Sequence, residues 1–419
     1  MNVISPATES LEHPSLAEPD GIEPSTDLRV RTFTSFDNAI VPEWDALVAA
    51  LNGSLYMTFA WCNVWWRHYG ARRELRVVAV RSRDELVGVL PFFIDSLATP
   101  FGRARVAKLV GSDSTLAVME PLVRPNLAPE AFRMTIKQLF EDDHVDMVHV
   151  GPCSGTTAHV DAVRAAASKL DAGQIVRDRQ TGSHTVFDMS DGFEGYLKRL
   201  SSHQRSNYRR KLKKLNNSFT LDLDVVREGP ALEREFAAFI EMHQAQWKAI
   251  NKLGHFDDWP GSREYSWDLV RSLAASERVR LVRLLADDRV VAYYWCFALG
   301  GTYYWRLSAR LFGQQWDQFA LGRVGVVKMM ELANSDRATA IEAGIGSYGY
   351  KENLNAQTHP LHSIALRRNG LLPRLRALFT LAYGDFLNLA YYRVWYIRVA
   401  PRIKLLRRPL WRSWIRRRF

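Results

Sequence analysis

Cysteine is scarce in this sequence, with Cys62, Cys153 and Cys296 the only three among 419 residues. They stand without paired spacing, and an odd count in a chain this long shows no disulfide or zinc framework and points to a reducing compartment. The short motifs of louder chemistries are also missing. There is no Gly-x-Ser-x-Gly elbow, no phosphate loop ending in Gly-Lys-Ser/Thr and no His-Glu-x-x-His, so hydrolase, nucleotidase and zinc-protease readings lack support. His359-x-x-His362 could share a helical face, but it straddles Pro360 and lacks an acidic third ligand, so no metal site is expected. Residues 1–26 contain no Lys or Arg, against five acidic residues and four prolines. They lack the basic and apolar regions of a signal peptide and are expected to form a disordered acidic tail. The other end is short of the opposite charge: from Arg374 to Phe419, twelve Lys or Arg face the single Asp385, an excess of +11 that equals the whole chain's.

What is present is enough apolar sequence, 47%, for a large core and roughly two domains. The most informative feature is an internal repeat. "RVVAVRSRDELVGVLPFF" from Arg76 aligns without a gap on "RLVRLLADDRVVAYYWCF" from Arg280, an offset of 204 residues. Each reads as an apolar strand, a charged turn with Asp84 or Asp288, and a second apolar strand. Upstream of each lies an aromatic helix ("LYMTFAWCNVWWRHYG"; "FIEMHQAQWKAINKLG"). Downstream comes another helix and a returning strand, "VDMVHVGP" or "TAIEAGIG", whose glycine-containing end is where α/β sheets present ligand sites.

Between the repeats, "YLKRLSSHQRSNYRRKLKKL" (196–215) has eight basic residues and no acid. Read as one helix, it puts Leu197, Leu200, Tyr208, Leu212 and Leu215 on a single stripe. Lys198, Arg205 and Arg209 then edge that stripe, facing either a cleft or solvent.

These segments, with "FAWCNVWWRHYG", "LVGVLPFF", "LVRLLADDRVVAYYWCFALGGTYYW" and "GIGSYGYKENL", resemble the acetyltransferase-like (GNAT) superfamily in its duplicated FemAB-like form. Within it they resemble the CelD-like acyltransferases of cellulose and envelope-polysaccharide biosynthesis. The resemblance covers about residues 28–368 and implies an α/β fold, a tandem pair of GNAT-like half-domains with mixed sheets and flanking helices. The expected divisions are 1–26, a first half at 27–190, a second half at 191–370 and a basic aromatic helical tail at 371–419. It also implies transfer of an acyl group to an amine or hydroxyl, which needs few side chains: an amide for the oxyanion, a base for the acceptor proton and a hydroxyl for the leaving group. "DQFALGRVGVV" resembles the family's pyrophosphate loop through Gln318, Gly322 and Gly325. Three residues, where the family has two, separate the Gln from the first glycine, so coenzyme A competes with other carriers, aminoacyl-tRNA among them. Gly322 and Gly325 are equally suited to close helix packing.

"IEAGIGSYGYKENL" resembles the family's acidic residue, glycine and Tyr-Lys segment. Glu342 is a candidate base or acceptor anchor, or a partner of a neighbouring Arg; Tyr350 and Lys351 are candidates for meeting an anionic donor or acceptor. Tyr304 and Arg306 alternate along "TYYWRL", which sends both to one sheet face and Trp305 to the other. His243 and Trp247, at i and i+4, are candidates for lining the acceptor cleft or for packing.

In the tail, Gly384, Asp385, Arg393 and Arg398 interrupt the apolar run, so about 20 clean apolar residues for a spanning helix are not available. Trp395, Tyr396, Trp411 and Trp414 among arginines suit an anionic membrane surface, with nucleic acid as the rival partner. The expectation is a cytoplasmic acyltransferase, peripheral on the inner membrane face, acting on a glycan, lipid or envelope precursor with an acyl- or acetyl-coenzyme A donor. A catalytically degenerate scaffold of a polysaccharide-export machine is the alternative.

Overall fold

The computed structural model describes residues 27–419 apart from 114–116, 253, 258 and 403–409; the expected acidic tail at 1–26 lies outside the described residues. The first repeat supplies β1 (Leu28–Phe33), β2 (Glu74–Ser82), β3 (Glu85–Thr99), β4 (Gly102–Leu109), β5 (Leu122–Val123), β6 (Met147–Ser154) and β7 (Gly173–Asp188). The second supplies β8 (Leu221–Val226), β9 (Val279–Ala286), β10 (Arg289–Leu299), β11 (Thr302–Arg310), β12 (Ala340–Ile345) and β13 (Gln357–Arg368).

The aligned segments are the hairpins β2–β3 and β9–β10. Their turns need left-handed residues, Arg83 in one and Asp287 with Asp288 in the other. The match extends to an ion pair. Arg76 Nε donates to Asp143 at 2.6 Å, and its counterpart Arg280 donates to Asp336 at 2.7 Å, each tying a strand to an aspartate one or two residues past a helix, Ala128–Glu141 or Leu321–Ser335.

The two repeats do not form separate sheets. The order is β1-β2-β3-β4-β6-β13-β7-β12-β11-β10-β9-β8, with β5 beside β3. The last strand of each repeat is thus exchanged: β7 pairs with β12 and β13 pairs with β6, while β7 and β13 run antiparallel to each other from Gly173↔Arg368 to Val186↔Gln357. Helices of both repeats share one core as well. Tyr69, at the end of the helix Phe59–Tyr69, stacks on Trp259 at 4.7 Å, and His68 contacts Asp268 of the helix Ser262–Ala274 at 2.9 Å.

Two expectations are corrected. The basic segment is not one helix: Leu200 is extended and Ser201 with Gln204 forms a capping box, which ends the helix Gly192–Arg199 and starts the helix Ser202–Ser218. His359 and His362 lie on strand β13, so helical spacing does not relate them. The tail packs against the first repeat. Ala377 and Leu381 of the helix Leu371–Phe386 join Leu97, Val106 and Met147 in an apolar cluster, and Arg416 binds the buried carboxylate of Asp95.

Exchange makes each half dependent on the other. A fragment of residues 27–190 keeps the buried strand β6 without β13 and leaves β7 with neither of its partners, unpaired edges that favour aggregation. It is expected to be insoluble alone and to be rescued by coexpression with 191–419. A monomeric fragment with dispersed amide resonances would contradict this dependence.

Candidate functional site

β11 and β12 run parallel only from Thr302↔Ala340 to Tyr304↔Glu342. Beyond Glu342, β12 bends towards β7 through Gly344 and Gly346, at φ of +79° and +101°, a region that glycine enters without steric cost. β11 meanwhile carries a bulge. Trp295 pairs with Leu307 and Cys296 with Trp305, which leaves Arg306 as the extra residue. The strands therefore part, and the gap between them opens into a cavity of about 760 Å³.

The free edge of β11 is met from the helix Gly229–Ala249. His243 Nδ1 donates to the Ser308 carbonyl at 2.9 Å, and Gln246 accepts from the Arg310 amide at 3.1 Å. With its Nδ1 proton so committed, His243 accepts at Nε2 from His255 Nδ1, 3.0 Å away. Burial lowers His243 to about 4 and His255 to about 3, so both rings are neutral at pH 7. The bulged Arg306 keeps Nε and Nη1 buried with no hydrogen-bond partner among the described residues. Another wall is the start of the helix Leu321–Ser335, where Ala320 is left-handed, no side chain caps the helix, and Gly322 and Arg323 line the cavity.

Tyr56, from the first repeat, lines the same cavity and donates to Glu342 at 2.8 Å; the Gly344 amide donates to the other carboxylate oxygen at 2.8 Å. Burial raises Glu342, offset by those two hydrogen bonds and by the charges of Lys351 and Arg306. Burial also lifts Glu120 to about 7, with the Glu342 charge adding to it. Lys351 is buried, donates to the Ala343 and Gly346 carbonyls at 2.6 and 3.3 Å, and is drawn down by burial to about 8.

Of the residues singled out in the sequence, His243, Trp247, Arg306, Gly322, Tyr350 and Lys351 line this cavity. Glu342 lies behind Tyr56. Tyr304 packs edge-on against Tyr56 at 5.5 Å and is not among the lining residues, whereas Trp305, buried with Tyr303 in the apolar cluster opposite Tyr304 as the alternation predicts, also reaches the cavity wall. Gln318 turns away to donate to the Gln315 carbonyl, and a Cβ at Gly325 would strike the Tyr294 hydroxyl, so that glycine serves helix packing. Lys198, Arg205 and Arg209 are not brought to the cavity. Arg205 instead donates to the Leu197 and Lys198 carbonyls, closing the preceding helix, while Lys198 and Arg209 are exposed. Sequence reasoning missed Tyr56, Glu120 and His255. Tyr56 and Glu342 are 286 residues apart, and no local pattern relates them.

The lowered Lys351 has a signed consequence. Between its folded value near 8 and its ordinary 10.5, the unfolded chain binds more protons than the folded one, so this group's burial cost is full below pH 8 and fades towards pH 10.5. The stability of wild type relative to Lys351→Met is therefore expected to rise across that interval in urea titrations at stepped pH. A constant difference would mean that Lys351 titrates normally.

Residues 202–352 match the family described as acetyltransferase (GNAT) domain. No protein of curated function matches the chain. Among solved structures, FemX is similar over 80% of this chain and 97% of its own, at 12% identity and a TM-score of 0.57. L-PGS from Bacillus licheniformis is similar over 80% of this chain and 95% of its own, at 12% identity and a TM-score of 0.47. The chain has the α/β fold seen in FemX, and residues 202–352, within its second repeat, are similar to the acetyltransferase (GNAT) domain family.

Proposed function

We propose that this protein is an acyltransferase that moves an acyl group from an anionic, phosphate-bearing carrier of the coenzyme A kind to an amine or hydroxyl, in the wedge between β11 and β12. The observation that carries this reading is the Arg306 bulge where the parallel pair ends. It leaves backbone out of the ladder beside a cavity walled by an uncapped helix N-terminus and by Arg306, Arg310, Arg323 and Lys351. Phosphate is favoured at such a helix start, and Gly322 lets backbone approach it closely. Arg306, with two unpartnered nitrogens, is suited to the charge nearest the reacting carbonyl.

When bound, the donor supplies the activated acyl carbonyl. The chain's own residues then manage two protons. The hydroxyl of Tyr56 takes the acceptor's proton as its own passes to Glu342, whose raised affinity for protons suits it to be the final base. Tyr350, pushed up to about 12 and therefore protonated at neutral pH, lines the cavity and donates to the departing group. His243 and His255 hold the edge of β11 in place.

The acceptor reading rests on the tail. Leu371, Leu372, Phe386, Leu389 and Ile397 are among the exposed large apolar side chains, and Arg374, Arg393 and Arg398 are interspersed with them. No helix among the described residues is long and apolar enough to cross a membrane. Trp411 and Trp414 are buried, with Trp414 stacked on Tyr392 at 4.2 Å, so the lipid-facing surface is aliphatic more than indole. A surface of this kind suits an anionic leaflet, which supports a lipid or envelope precursor as the acceptor.

Calorimetry with acetyl- and longer acyl-coenzyme A is expected to show binding that Arg306→Ala weakens about 10- to 100-fold, the range of a lost charge-assisted contact. Glu342→Gln should retain binding and lower transfer about 10²- to 10⁴-fold. Binding of charged tRNA with no response to any acyl-coenzyme A would reassign the donor, and binding of neither would favour the scaffold reading.

For the tail, Leu389→Asp with Ile397→Asp is expected to reduce sedimentation with phosphatidylglycerol vesicles several-fold at 0.5 M salt, where screening leaves mainly the apolar contribution. Unchanged partitioning would remove the membrane assignment.

A further inference from the structure

The first repeat contains the counterpart of the catalytic wedge. β4 and β6 run parallel only from Val106↔Met147 to Lys108↔His149. The aligned residues Phe93 and Phe297 face Lys108 and Tyr304 across their hairpins, so Lys108 and His149 stand where the second repeat has Tyr304 and Glu342. β4 lacks the bulge: its register with β3 runs unbroken from Leu109 to Gly102. The wedge is closed by the tail. The Phe419 ring lies 5.1 Å from the Lys108 ammonium and meets His149 edge-on at 5.5 Å. Arg179 donates to the Phe419 carbonyl at 2.7 Å and Arg417 to the Ala98 carbonyl at 3.0 Å.

Beneath this closure remains a cavity of about 230 Å³ whose polar lining is not satisfied. Both ring nitrogens of His149, the hydroxyl of Ser112 and Nε of Arg417 are buried and without a hydrogen-bond partner among the described residues. His149 is 2% exposed, Ser112 4% and Arg417 9%, so bulk water does not compensate them. Charge is unbalanced in the same place. Arg179, Arg393, Arg417 and Arg418 line the cavity against one carboxylate among its lining residues, Asp385, which Arg177 and Arg179 already bind. Idle donors in so cationic a lining suit an anion.

We propose that this tail-covered cavity is a binding site for a single phosphate group, separate from the acyl-transfer wedge and independent of the reading given to it. Arg417 Nε, the Ser112 hydroxyl and the one N–H of neutral His149 donate to phosphate oxygens. The other ring nitrogen of His149 points away from that anion and is not one of its contacts. Burial with neighbouring Lys108 and Arg179 holds His149 well below its usual range, which keeps it in that neutral form. Because the walls come from both the first repeat and the tail, occupancy favours the docked tail by linkage. The phosphate is either free in solution or part of an anionic lipid headgroup.

The test uses the full chain. Inorganic phosphate, titrated by calorimetry and followed by ³¹P resonance, is expected to bind saturably and raise the melting temperature. Ser112→Ala and His149→Phe each remove only idle polar atoms and should fold; each is expected to weaken phosphate binding at least tenfold. If inorganic phosphate does not bind but both variants reduce retention on phosphatidylglycerol vesicles relative to phosphatidylcholine, the headgroup is the source. If both variants match wild type with phosphate and with vesicles, the proposal is overturned.

Discussion

The antiparallel pairing of β7 with β13 is the constraint on which the rest of this structure depends. Each of these strands closes the repeat to which it does not belong, so twelve strands are hydrogen-bonded in sequence and two half-cores become one. The exchange also shapes the site. β12 can leave β11 after Glu342 because β7 is there to receive its other edge, with Ile345 pairing to His184 after an irregularity. Without an outside strand to hold it, a diverging β12 would expose unpaired backbone in the core, at a cost that no fold carries cheaply.

The two repeats put one plan to unequal use. A single extra residue, Arg306, separates the open wedge from the closed one: it breaks the ladder and brings a guanidinium to the cavity. In the first repeat the ladder is unbroken, and the corresponding space holds Lys108, His149 and the ring of Phe419. Duplication left the frame, including the Arg–Asp pairs at Arg76 and Arg280, while the contents of the two wedges diverged.

Electrostatics in the open wedge follow from burial more than from contact. Glu120, Glu342, His243 and His255 are all displaced towards their neutral forms, and Lys351 is displaced the same way. Arg306 and Arg310 line the same cavity. A Glu342 carboxylate whose affinity for a proton is raised, beside guanidinium groups, is suited to accepting a proton while the cations hold an anion.

The sequence by itself determined the duplication, the two hairpins, the glycine-bearing end of β12 and several cavity residues, because each is written in local spacing. Period-two alternation, turn residues and an ungapped 204-residue offset need no knowledge of distant contacts. The capping box at Ser201 and Gln204 was also legible; projecting the segment as one helix passed over it, and Arg205 was misplaced as a result. Other features were decided only by tertiary structure. Strand exchange, the Tyr56–Glu342 bond, the proximity of Glu120 and the seating of the tail join residues from 152 to more than 300 positions apart. The Arg306 bulge belongs with them: alternation in "TYYWRL" is compatible with a regular strand, and only the facing register of β10 shows the extra residue. Local sequence specifies which faces are apolar, but which strand edge meets which is settled by the lowest free energy of the whole sheet, and that is where this site is made.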